Sequence, residues 1–109
     1  MPTAGDVVLV DFPGATGAKR RPAVVISTDT YHAHRPDVIL CLLTTQFRAA
    51  MAPTDYPLQD WSAAGLHAPS VFRAYVGTRL ASDVQMIGRL SDRDWREVQA
   101  RLRLALAVT

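Results

Sequence analysis

Three short runs of β-branched and aliphatic residues, DVVLVDF at 6–12, PAVVIS at 22–27 and DVILCLL at 37–43, precede a single stretch of helical periodicity near the end of the chain. This order constrains the fold more than any other feature. Valine and isoleucine are stiff at χ1 and pack well on a pleated surface, so each run reads as a strand. Residues 13–18 (PGATGA) separate the first two runs and read as a mobile turn with two glycines. Pro22 opens the second run, where a strand tolerates proline. The third run is almost wholly apolar, as expected of a central strand buried on both faces, and it ends at Thr44-Thr45-Gln46.

The remaining elements follow from turn chemistry and period. Residues 28–36 are polar, hold His32 and His34, and fit a loop or short helix. Residues 48–69 are irregular, broken by Pro53, Pro57, Gly65 and Pro69, with room for a short edge strand at 56–58. Residues 70–76 (SVFRAYV) alternate and read as a further strand, whereas 78–88 fit no single period. Ser91 and Asp94 have capping-box-like spacing, and Trp95, Val98, Leu102 and Leu106 form an apolar stripe. The pattern predicts one domain over 1–109 in the α+β class, mostly β: a small antiparallel barrel with a C-terminal helix packed on it.

Composition narrows the function classes. With 109 residues, 49% of them hydrophobic, the chain supports a core and is not globally disordered. No apolar run reaches the roughly 20 residues of a membrane span. Residues 1–6 lack the basic-then-apolar layout of a signal peptide. The lone cysteine, Cys41, lies in an apolar run and reads as a buried, inert thiol. Together these point to the cytoplasm. A net charge of +2 does not argue for nucleic acid by itself, yet Lys19 is the only lysine among twelve cationic side chains. Guanidinium groups grip phosphate in bidentate fashion and stack on bases, although a GC-rich genome also raises arginine content.

Several blocks carry a family resemblance. They are Gly5-Asp6-Val7-Val8-Leu9-Val10-Asp11-Phe12-Pro13, a glycine-containing loop, and Lys19-Arg20-Arg21-Pro22-Ala23-Val24-Val25-Ile26-Ser27. Then come Leu42-Leu43-Thr44-Thr45-Gln46, Ala64-Gly65-Leu66-His67-Ala68-Pro69-Ser70-Val71-Phe72-Arg73, and Ile87-Gly88-Arg89-Leu90-Ser91-Asp92-Arg93-Asp94-Trp95. In this order they resemble the MazF/PemK family of toxins. The resemblance implies an SH3-like barrel with a C-terminal helix, usually a homodimer. It further implies metal-independent cleavage of single-stranded RNA at short motifs, no cofactor, and inhibition by a cognate antitoxin whose flexible tail lies in the RNA groove.

The resemblance assigns catalytic roles to Arg21, the arginine of Arg-Pro, and to Thr44; Arg73 matches a catalytic arginine of some relatives. Arg21 precedes proline and is therefore held extended, with five donors for a phosphate; its alternative is a solubilising charge beside a turn. Thr44 ends a buried strand, where its hydroxyl serves either a phosphate oxygen or the local backbone. Arg73 lies in a strand where a charge on the core face would be costly. Those relatives carry an acid two residues later, where this chain has Tyr75, a poor base with an unperturbed pKa of about 10. Lys19, Arg20, Gln46, Ser70, Tyr75 and His67 are candidate RNA contacts, although Ser70 also suits a turn cap.

His32 and His34 match no catalytic position, and their spacing without a second ligand cluster gives no metal site. Residues 14–18 are not a phosphate loop, because no Gly-Lys-Ser/Thr leads into a helix; they suit a flap over RNA or a plain hairpin connection. Trp95 belongs to the helix stripe, while Trp61 is unassigned. Two alternatives share the fold. A gyrase-poisoning relative would carry a tryptophan-containing C-terminal tail, whereas this chain ends Leu106-Ala107-Val108-Thr109. A catalytically degenerate RNA-binding module is the other, kept open by Tyr75.

Overall fold

The computed structural model describes residues 2–14, 17–46 and 51–108. Six strands and two helices follow in order: β1 (Asp6–Gly14), β2 (Gly17–Val25), α1 (Asp29–His34), β3 (Asp37–Thr44), β4 (Tyr56–Pro57), β5 (Val71–Leu80), β6 (Gln85–Arg89) and α2 (Asp92–Ala105). A 3-10 turn at Ala81–Asp83 joins β5 to β6. The strands form one antiparallel sheet in the order β4-β5-β3-β2-β1-β6. The sheet curls into a half-barrel and α2 packs on one side, as the strand pattern and the resemblance led us to expect.

Two of the expected boundaries are corrected. The second strand begins at Gly17, five residues before Pro22, and Lys19-Arg20-Arg21 lie inside it. Pro22 sits opposite Leu9 of β1, but pairing with β3 begins only at Ala23. The front half of β2 is therefore an edge, and a missing N–H costs little there. In the same way, Pro13 and Gly14 pair with Ala18 and Gly17, so most of the expected mobile turn is hairpin strand. Residues 15 and 16, the rest of that candidate flap, lie outside the described residues, as do 47–50.

Alternation along the strands divides the core in two. Val7, Val24, Cys41, Leu43 and Phe72 face α2, where they meet Val98, Leu90, Tyr56 and Leu66. Trp61 and Trp95 are half-buried against this cluster. Val8, Val10, Phe12, Ala23, Val25, Val38 and Leu40 face the opposite way, into the hollow of the curled sheet. Full burial of each such Val, Leu or Phe contributes roughly 1.5–3 kcal/mol. Cys41 is buried as expected, and burial pushes its thiol pKa up to about 12. The helix stripe is shorter than its sequence suggests: Leu106 is the C-cap residue and exposed.

The Ser91 hydroxyl caps α2 by accepting the Asp94 N–H at 3.3 Å. The Asp94 carboxylate does not return to the helix start as in a capping box. It is wholly buried and accepts the Tyr56 hydroxyl at 2.6 Å and the backbone N–H groups of Gln59 (3.0 Å) and Asp60 (2.8 Å). Burial and this bond to Asp94 raise the pKa of Tyr56. Asp60 in turn takes a bidentate pair from Arg93, both at 2.7 Å, and the Ser91 hydroxyl at 2.6 Å. The irregular segment after β4 is thus built onto the first turn of α2. It also abuts β6, where a Cβ on Gly88 would lie 2.0 Å from the Ala64 carbonyl oxygen, so only glycine fits.

The Arg93 pair gives a pH prediction. Hydrogen bonds from Arg93 and Ser91 hold the Asp60 pKa down to about 2, below its ordinary carboxylate value. A depressed acid stabilises the fold above its unfolded pKa and loses that contribution as pH falls through the folded value. Arg93→Met should therefore be less stable than the parent at pH 7. The gap should close as pH falls from about 4 towards 2. Urea unfolding across that range reads it, and a gap independent of pH would contradict it.

Candidate functional site

The register of the central strands brings the two principal candidates together. Ala23 pairs with Leu42, Val24 with Cys41 and Val25 with Leu40. Carried two residues further, this register sets Arg21 across from Thr44. Alternation agrees: Arg21 follows Ala23 and Val25 on the hollow face of β2, and Thr44 follows Val38 and Leu40 on the hollow face of β3. Paired residues end at Ala23 and Leu42, so both side chains stand where the two strands begin to part. Thr44 is largely buried, and its hydroxyl accepts the Gln46 N–H at 3.0 Å while donating to the Gln46 carbonyl at 3.4 Å. The second contact is long and weak, so a phosphate oxygen can take its place. Gln46 thereby has its backbone fixed beside Thr44, with its side chain exposed.

The triplet Lys19-Arg20-Arg21 splits across the sheet. Lys19 pairs with Phe12 and Arg21 with Val10, both on the hollow face. Arg20 pairs with Asp11 on the other face, where its guanidinium meets the Asp11 carboxylate at 3.3 Å and Gln85 at 3.5 Å. Period-two alternation separates it from its neighbours.

Strand β5 supplies the third side. Between the pairs Cys41–Val76 and Leu43–Phe72 it carries Arg73, Ala74 and Tyr75 opposite Leu42 alone, a bulge that bends the strand. Phe72 and Ala74 pack towards α2, which leaves Arg73 and Tyr75 on the hollow face. Arg73 is exposed, and its Nε lies 4.0 Å from the Asp55 carboxylate. Tyr75, 56% exposed, meets Phe12 edge-on with ring centroids 6.1 Å apart. The Arg79 guanidinium lies 4.8 Å from the Phe12 ring centre, held by a 3.0 Å bond from its Nε to the Asp11 carbonyl. Arg79, Phe12 and Asp55 were not singled out in the sequence, because strand register places Asp55 and the curl that brings β1 over β5 places Arg79 and Phe12.

The structure therefore gathers Lys19, Arg21, Thr44, Arg73 and Tyr75 on one cationic, partly aromatic face. It does not gather Arg20, Ser70 or His67 there. Ser70 is buried and its hydroxyl donates to the Ala68 carbonyl at 2.9 Å, the turn cap that its sequence also allowed. His67 is exposed in the loop beside Leu66, which packs on the α2 side. His32 lies beyond the far end of β2, its Nε2 2.5 Å from the Ser27 hydroxyl, while His34 is exposed. Among the described residues no group of three or more His, Cys, Asp or Glu converges to hold a metal, and no helix is long and apolar enough to cross a membrane.

Comparison with known proteins covers the whole of this architecture. Residues 3–106 match the family model described as PemK-like, MazF-like toxin of type II toxin-antitoxin system. Among solved structures, an endoribonuclease in complex with its cognate antitoxin, from a mycobacterial species, superposes with a TM-score of 0.79 at 21% identity, over 100% of this chain and 98% of the other. A MazE-MazF structure from Deinococcus radiodurans gives a TM-score of 0.76 at 22% identity, over 99% of this chain and 98% of the other. The Mycobacterium tuberculosis toxin MazF-mt6 gives 0.76 at 20% identity, over 95% and 98%. No protein with a curated description matches. At these identities the superpositions establish the fold, and the family match rests on the sequence model.

Proposed function

Because the chain belongs to the PemK-like, MazF-like toxin family of type II toxin–antitoxin systems, we propose that it is a metal-independent endoribonuclease that cleaves single-stranded RNA. The observation that supports the reading is a shared face: the β2–β3 register, extended two residues beyond its last pair, puts Arg21 and Thr44 on the side of the sheet that also carries Lys19, Arg73 and Tyr75.

The chemistry uses the substrate's own nucleophile. The 2′-oxygen attacks phosphorus as it loses its proton, the bond to the 5′-oxygen breaks, and that oxygen gains a proton. The products are a 2′,3′-cyclic phosphate and a 5′-hydroxyl, with no water consumed. Negative charge builds on the non-bridging oxygens in the transition state. Arg21 offers a planar fork of donors to those oxygens, and Thr44 a single hydroxyl whose direction the turn to Gln46 already restricts. Arg73 adds a second guanidinium from the bulge in β5. Donors aimed at a developing anion typically supply about 10²–10³-fold each.

Tyr75 and Lys19 bind rather than react in this reading. Tyr75 presents a ring to a base, with Phe12 meeting it edge-on and Arg79 in turn lying over the Phe12 ring. Tyr75→Ala is expected to weaken binding of a single-stranded RNA by about 1–3 kcal/mol, the usual contribution of one base–aromatic stack. Tyr75→Phe should bind as the parent does, and equal losses in both variants would assign the effect to the hydroxyl. The partners on this reading are single-stranded RNA, a second copy of the chain, and a cognate antitoxin whose acidic, flexible segment masks the arginine face in the cytoplasm.

The deciding experiment incubates the antitoxin-free protein with a long single-stranded RNA in a chelator and maps the fragment ends. Cleavage with cyclic phosphate ends, and none of the same sequence as DNA, is the expected result. Intact RNA after long incubation would favour the binding module without catalysis. Gyrase recovered in a pull-down, again with intact RNA, would favour the gyrase poison.

A further inference from the structure

One carboxylate stands at the candidate site without a role in this chemistry. Asp55 immediately precedes β4, and since Tyr56 pairs with Phe72, the same register sets Asp55 across from Arg73. Its side chain is only 16% exposed beside an arginine that is 55% exposed, so the acid is the fixed member of the pair. Its N–H donates to the Ala52 carbonyl at 2.9 Å, and its Oδ2 accepts the Ala52 N–H at 3.0 Å. Its carbonyl accepts Arg101 Nε of α2 at 3.1 Å. Arg101 is itself braced over the Tyr56 ring, 5.3 Å from its centre, and paired with Glu97 at 3.2 Å. The carboxylate's place is therefore set by a tight turn and by α2. Oδ1 is left facing Arg73 Nε at 4.0 Å.

Among the described residues Arg73 meets no comparable support. It rises from a bulge on a flexible stem, and an arginine side chain carries about 2 kcal/mol of rotamer entropy. At 4.0 Å the two groups form an ion pair without a hydrogen bond; a carboxylate drawn onto Nε would fix the plane of the guanidinium and leave both Nη groups open. Those two nitrogens form the fork that matches two phosphate oxygens. We propose that Asp55 is the positioning residue for Arg73, holding its guanidinium by the Nε edge so that its Nη pair meets the phosphate. The inference rests on the ribonuclease reading of this site and adds to it a dependence on a residue outside the strand that carries the arginine.

The test is a double-mutant cycle of Asp55→Asn and Arg73→Lys, since lysine has no Nε edge to hold. Asn is isosteric and keeps an acceptor for the Ala52 N–H. Single-turnover cleavage of a mixed-sequence single-stranded RNA is measured for all four proteins, with binding of a 2′-O-methyl copy and thermal melting alongside. Asp55→Asn should lower the cleavage rate about 10- to 100-fold, the scale on which misplacement of a catalytic group acts, with affinity for the copy and Tm little changed. In the Arg73→Lys background it should add less than about twofold, because a shared interaction is lost once.

A parental rate in Asp55→Asn, or an undiminished loss in the Arg73→Lys background, would overturn the inference while leaving the ribonuclease reading intact. If the parent binds the copy but does not cleave, the ribonuclease reading and the inference that rests on it both fail. If the parent neither cleaves the RNA nor binds its copy, the ribonuclease reading fails and the inference with it.

Discussion

Arg21→Ala is expected to slow RNA cleavage by about 10²–10³-fold, and Thr44→Ala by a similar factor, because each removes a donor aimed at a developing anion. Single-turnover cleavage of a labelled RNA in a chelator measures both. Arg21 is only half-buried, so its variant should melt near the parent, whereas Thr44 is buried and its hydroxyl accepts the Gln46 N–H, so Thr44→Ala should also cost about 1 kcal/mol of stability. The double variant should lose less than the product of the two factors, since the groups are placed to act on one phosphate and such effects are not additive. Thr44→Ser is informative beside them. It keeps the hydroxyl and its bond to the Gln46 N–H but drops the methyl group, so most of the rate should survive. Parental cleavage by Arg21→Ala would remove the basis of the proposed chemistry.

Asp94→Ala should be the most damaging single change to stability outside the apolar core. It strips the acceptor from the Tyr56 hydroxyl and from the N–H groups of Gln59 and Asp60, at a residue with no solvent exposure. Leaving a buried donor unsatisfied costs about 1–3 kcal/mol, and three lose their acceptor here. At about 4–8 °C of Tm per kcal/mol for a domain of this size, the melting temperature should fall by more than about 10 °C. Tyr56→Phe removes only one of the three donors and should cost about 1–2 kcal/mol. Urea unfolding of both variants tests the ranking, and a loss below about 1 kcal/mol in Asp94→Ala would show that water takes over the three donors. Asp55 lies next to Tyr56, so the same substitution should also loosen the support behind Arg73.

The strands were legible where a run was uniformly apolar. The run at 37–43 marks β3 to within a residue because a central strand is covered on both faces, and no polar residue intrudes between Asp37 and Thr44. Ser91 and Trp95 marked the start of α2 because capping is local. Boundaries set by partners were not legible. The front half of β2 is basic and contains proline, and it is a strand only because β1 lies alongside it. Likewise 78–88 showed no clear period, since β5 ends and β6 begins on an exposed, irregular stretch joined by a 3-10 turn. Asp94 read as a capping acid, and its true partners lie more than thirty residues away.

The site divides in the same way. Arg21, Thr44 and Arg73 were visible as residue types at strand ends and in motif blocks, but their grouping was not. Alternation alone puts Lys19 and Arg21 on one face and Arg20 on the other, once it is known that β2 starts at Gly17. Ser70 matched a motif as well as Arg73 did, yet its hydroxyl is buried in a turn. Asp55 and Arg79 carry no sequence signal at all, and Phe12 read only as part of a strand.

By itself, then, the amino-acid order determined the class of fold, its helix and its family, because those follow from local periodicity, capping and contiguous blocks of residues. Tertiary structure alone decided which cations share a face, which hydroxyl stands on that face, and which carboxylate stands behind Arg73. The reason is physical: a side chain's surroundings come from strands distant in the chain, and a shift of one residue in their register would send each of these groups to the opposite side of the sheet.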